Sequence, residues 1–132
     1  MLFRSVSFVA ETANLALLAG NIAHALDTIG VMERMTWGRE RAVPNLGLAE
    51  RLRIFKMGYT KDAASACVMA EQAKEKFRSR NLMFYLDALS AHAWAETRAR
   101  GRASDQTQAE LELFQMPELA GKKAALTAQG FL

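Results

Sequence analysis

Apolar residues recur every three or four positions along most of this chain, the spacing of one face of an α-helix. Val6, Val9, Ala13, Ala16 and Leu17 mark a first helix over 5–19. After a break at Gly20-Asn21, Ile22, Ala25, Leu26, Ile29 and Met32 mark a second over 22–36, with Gly30 inside it. Residues 37–45 contain Gly38 and Pro44 and read as a loop. Leu48, Leu52 and Phe55 form the inner face of a helix over 46–57, which Gly58-Tyr59 is expected to end. Thr60 is the expected N-cap of the next helix, 61–78, because its hydroxyl can accept an orphan backbone N–H. That helix presents Ala63, Ala66, Cys67, Ala70, Ala73 and Phe77 inward. Lys61, Asp62, Glu71, Lys74, Glu75 and Lys76 are expected on its outer face.

The turn Arg78-Ser-Arg-Asn81 leads into a long apolar helix over 82–100. Asp87 and Glu96 lie about half a turn out of phase on it, so neither side is cleanly polar and packing on two sides is expected. Gly101 ends it. Short helices at 105–114 and 118–129 close the chain, separated at Pro117. No strand pattern competes, so the expected fold is all-α, one domain over 1–132.

The breaks have a rhythm. Gly20, Gly58 and Gly101 each follow one helical stretch and precede another, at spacings of 38 and 43 residues. Gly20-x4-Ala25 and Gly58-x4-Ala63 share a longer pattern, continued by Met32 and Ala70, whereas the third glycine meets Gln106 where an alanine would stand. Glycine supplies the backbone angles of a tight turn, and a small residue one turn later lets two helices approach. Hairpins of this kind bury their apolar faces by stacking. The expected units are 5–36, 46–78 and 82–114; an irregular helical bundle without true repeats is the alternative.

With Gly58, Ala63, Ala70 and the preceding Leu52, Ile54 and Phe55, the chain resembles tetratricopeptide (TPR) repeat proteins. It also resembles the helical-repeat region of large LuxR-type bacterial regulators, and the small TPR-like chaperones that hold a secretion-system subunit. The resemblance implies a non-catalytic scaffold or chaperone-like module that holds a peptide, helix or protein in a groove between hairpins. Each unit's first helix would line that groove, which makes Arg51, Phe55, Tyr85 and His92 the candidate partner-binding residues. Core packing is the competing role for Phe55 and Tyr85.

Composition adjusts this picture only modestly. Apolar residues make up 51% of the 132 and charged residues 23%, the balance of a globular chain. The net charge of +3 is unevenly spread, at −1 over 1–30, +6 over 31–104 and −2 over 105–132. A basic middle suits an acidic partner, or nucleic acid if its side chains gather on one face. The second functional reading is therefore a stand-alone regulatory or sensor domain that binds nucleic acid or a small effector. The basic groups at 74–80 and 98–102 flank helix ends, however, where cations complement the helix dipole.

Catalytic chemistry finds little footing. His24 and His92 are the only histidines, and Asp27, three residues after His24, is the sole near-match to helical metal-ligand spacing. Cys67, the lone cysteine, permits no intrachain disulfide and sits on a small-residue face as a core thiol. No phosphate loop or nucleophile elbow is present. The expectations are no enzyme, no cofactor, no metal and no membrane span, a cytoplasmic location, and a homo-oligomer as one possibility. The terminal Phe131-Leu132 reads as an apolar tail that could dock on a partner.

Overall fold

In a computed structural model, the structure describes residues 2–39 and 43–113, without the side chains of residues 2–5. The described residues form six α-helices: α1 (Leu2–Leu18), α2 (Ile22–Thr36), α3 (Leu46–Thr60), α4 (Ala63–Phe77), α5 (Leu82–Arg100) and α6 (Asp105–Glu112). The fold is all-α, as the periodicity predicts. The expected helix at 118–129 and the tail at Phe131-Leu132 lie outside the described residues.

Five of the helices begin at a side chain that satisfies an orphan backbone N–H. Asn21, Asn45, Asp62, Asn81 and Ser104 accept from the amides of His24, Leu48, Ser65, Phe84 and Thr107. The third helix corrects the expected boundary. Gly58 does not end it, since α3 runs on to Thr60, and Asp62 rather than Thr60 caps α4. Gly20 and Gly101 do take positive φ, 76° and 87°, and close α1 and α5. Gly58 instead provides room: a Cβ there would come within 2.7 Å of the Trp94 ring.

The helices pack in an overlapping order. α1 pairs with α2, and α3 lies against both; α3 pairs with α4, and α5 lies against both; α6 then packs on α5. One apolar cluster joins Ala13, Ile29, Met32, Leu52 and Leu86 across α1, α2, α3 and α5. A second joins Ile54, Ala70, Ala73, Phe77 and Leu89 across α3, α4 and α5. Small residues on α4 let α5 approach closely, as the sequence pattern anticipates.

Helix α5 is buried around nearly its whole circumference, which bears out the two-sided packing. Asp87 and Glu96 are both buried, on opposite sides. Asp87 meets Arg51 of α3, and Glu96 accepts from Ser104 at the start of α6. Lys74 departs from its expected outer position. It is only 6% exposed, because Glu110 of α6 and His92 of α5 close over it.

Candidate functional site

Two regions hold the polar side chains that the fold buries. The first is a cleft of about 430 Å³ between α4, α5 and the start of α6. The heptad-like spacing of Glu71, Lys74, Glu75 and Arg78 aims one stripe of α4 into it. His92, Glu96 and Arg100, spaced by four, supply the opposing stripe from α5. At its floor the Lys74 ammonium lies 3.3 Å from Glu110 Oε1 and 3.3 Å from His92 Nδ1. Tyr85 donates its hydroxyl proton to Glu110 Oε2 at 2.5 Å.

These contacts fix protonation states. An ammonium only donates, so His92 Nδ1 accepts and the ring carries its proton on Nε2. Burial, then the Lys74 charge, holds the His92 pKa below the ordinary 6.5. Burial and the bond to Glu110 push the Tyr85 phenol up to about 12. Burial also acts to raise the Glu110 carboxyl, but the Tyr85 bond and the Lys74 charge outweigh it and the net shift is downward. Glu96 follows the same logic: burial is outweighed by the Thr107 and Ser104 hydroxyls and the Ser104 amide. Near neutral pH a neutral imidazole and a neutral phenol therefore stand beside the Glu96 and Glu110 carboxylates.

The second region lies between α1, α3 and α5. Arg51 Nη1 is 3.8 Å from Asp87 Oδ1, and Nη2 donates to Asn14 Oδ1 at 3.0 Å. Both charged groups are at least nine-tenths buried. Removing one would strand the other, the costly way to disturb a buried pair. Phe55 is buried nearby, stacked on Trp94 at 4.8 Å and against Tyr59 at 4.5 Å. Arg98 lies 4.1 Å above the Tyr59 ring.

The four sequence candidates are thus divided. Tyr85 and His92 meet around Lys74 and Glu110, while Arg51 and Phe55 belong to the α1–α3–α5 interior. All four are buried, between 4% and 7% exposed. Lys74 and Glu96 help line the cleft and Glu110 backs Lys74, and the sequence did not mark them as site residues. Nothing in a charged residue on a helical stripe distinguishes a solvated lysine from one that a later helix will cover.

The basic middle is largely engaged by its own carboxylates. Arg53 and Lys56 meet Glu33 across helices, Lys76 meets Glu50, and Arg102 meets Asp105. Cys67 is partly buried against the α4–α5 core, and burial raises its pKa, which disfavours the reactive thiolate. Among the described residues no group of three His, Cys, Asp or Glu side chains could hold a metal ion. No helix there is long and apolar enough to cross a membrane.

Large apolar side chains are exposed elsewhere, on the first hairpin. Phe8 and Leu15 of α1 are 74% and 62% exposed. Phe8 and Val31 line a shallow, mostly apolar cleft of about 250 Å³ between α1 and α2. Comparison of the chain with protein-family models, curated proteins and solved structures gives no match.

Proposed function

We propose that this chain is a non-catalytic module of stacked helical hairpins that holds a protein or peptide partner. The observation that carries the reading is the exposed apolar surface of the first hairpin, where Phe8 and Val31 line an apolar groove and Leu15 is exposed on α1. Contiguous exposed apolar surface on a soluble domain marks places where other molecules bind. The overlapping order of packing supports a TPR-like arrangement, because the first helix of each later hairpin bridges both helices of the one before it. Arg51 and Phe55 then act indirectly, by fixing how α3 carries the first hairpin.

Nucleic acid is the weaker reading. Several cations of the basic middle, Arg53, Lys56, Lys76 and Arg102, are already paired with Glu33, Glu50 and Asp105, and a polyanion would have to displace those carboxylates. The test is affinity capture from the native host with the wild-type chain and a Phe8→Ser/Val31→Ser variant. A protein retained in stoichiometric amount by the first and lost by the equally folded second supports the reading. Equal retention by both, or retention of nucleic acid alone, overturns it.

A further inference from the structure

The cleft between α4, α5 and α6 has properties that the ion pairs around it do not use up. The Lys74 ammonium has three N–H groups. Two point to Glu110 and His92, and the third meets no acceptor among the described residues. Among the described residues His92 Nε2, which carries the ring proton, makes no hydrogen bond, and Glu71 Oε1 lies 3.6 Å from it. Both side chains are 8% exposed, so these two donors are held by buried groups that border the cavity. Glu71, 67% exposed, stands beside them with the one contact to His92.

The walls also carry both signs of charge. Glu71, Glu75 and Glu96 face Lys74, Arg78 and Arg100, with His92 neutral, and Glu110 adds a fourth carboxylate behind Lys74. A site of this kind disfavours both a net anion and an apolar molecule. It matches a compound that carries both signs close together. We infer that this cleft binds a small zwitterion of the α-amino-acid type, its carboxylate accepting from Lys74 Nζ and His92 Nε2 and its ammonium facing Glu71. Carboxylate and ammonium sit on one carbon in such a molecule, a separation of two covalent bonds, which suits the short spacing from His92 to Glu71. The volume of about 430 Å³ lies within the range of small-molecule sites, with room for a side chain. The site is remote from the apolar face of α1 and α2, and either reading can fail without the other.

The test is titration of the full chain with the common L-amino acids, followed by calorimetry and by amide NMR shifts. Acetate and methylamine serve as single-charge controls. The expected result is one-to-one binding of at least one amino acid, with shifts centred on residues 71–78 and 92–100. Glu71→Gln, an exposed change that leaves the buried network intact, is expected to weaken it about tenfold or more. Glu71→Lys is expected to abolish it, while acetate, relieved of the Glu71 charge, is expected to bind Glu71→Gln no more weakly than the wild type. Absence of binding by every amino acid at about 10 mM would overturn the inference. So would an affinity indifferent to Glu71→Gln, or acetate binding as tightly as the amino acid.

Discussion

Gly30 and Gly58 both lie inside helices and look alike in the sequence, yet their surroundings predict opposite responses to alanine. At Gly30 the nearest atom to an added Cβ is the flexible end of Arg34, at 3.6 Å. Gly30→Ala is therefore expected to stabilise the chain by about 0.5–1 kcal/mol, the usual helix preference of alanine over glycine. At Gly58 an added Cβ meets two atoms of the Trp94 ring at 2.7 Å, and that ring is wedged against Phe55. Gly58→Ala is expected to cost about 1–3 kcal/mol net, because overpacking exceeds the propensity gain. Urea denaturation measures both. In a Trp94→Ala background the penalty at Gly58 should vanish, since the two changes address the same space. A penalty that persists there would place the strain elsewhere.

At the scale of the element, α6 is the informative case. Eight residues cannot hold a helix in water unaided, so its order comes from what it touches. Ser104 caps it and contacts Glu96; Glu110 ties it to Lys74 and Tyr85. Lys74→Met leaves a partly buried carboxylate without its cation. It is expected to cost about 2 kcal/mol, a buried-pair value reduced for the partial exposure of Glu110. Hydrogen exchange should show α6 amides losing protection before those of α4. The same network sets an acid limit. His92 binds a proton less readily in the fold than in the unfolded chain, so the unfolded state gains protons first as pH falls below about 6.5. Stability should decline from there, and fall further near the ordinary carboxyl range of 4.5 as Glu96 and Glu110, whose folded values are depressed, are protonated. His92→Gln should remove the first part of the decline and spare the second, as read from melting temperature against pH.

At the scale of the molecule, the packing order makes stability uneven. The first hairpin reaches the remainder of the described chain chiefly through α3, while α5 is enclosed by α3, α4 and α6. Amide exchange is therefore expected to be faster throughout α1 than in α5, with opening of the first hairpin preceding global unfolding. Equal protection of α1 and α5 would indicate a single cooperative unit. Trp94 and Leu111 pack against both apolar clusters and so bridge them. The exposed face of the first hairpin thus sits on a weakly anchored part of the described fold, which suits the partner-holding role proposed above.

The sequence by itself determined that the chain is helical and where α2 and α5 begin and end. Period, glycine and capping asparagine act within a few residues of one another, and so are legible in one dimension. It also marked most of the inner faces of α1, α2 and α4 and the double-sided burial of α5, but not the second buried side of α3 at Arg51 and Ile54. It did not distinguish Gly58 from Gly20, because one makes room for an indole 36 positions away and the other only turns the chain. Nor did it reveal that Lys74 is buried or that His92 keeps a donor turned toward a cleft. Those properties arise when α6 closes over α4 and α5, and only the tertiary structure decides which charges water still reaches.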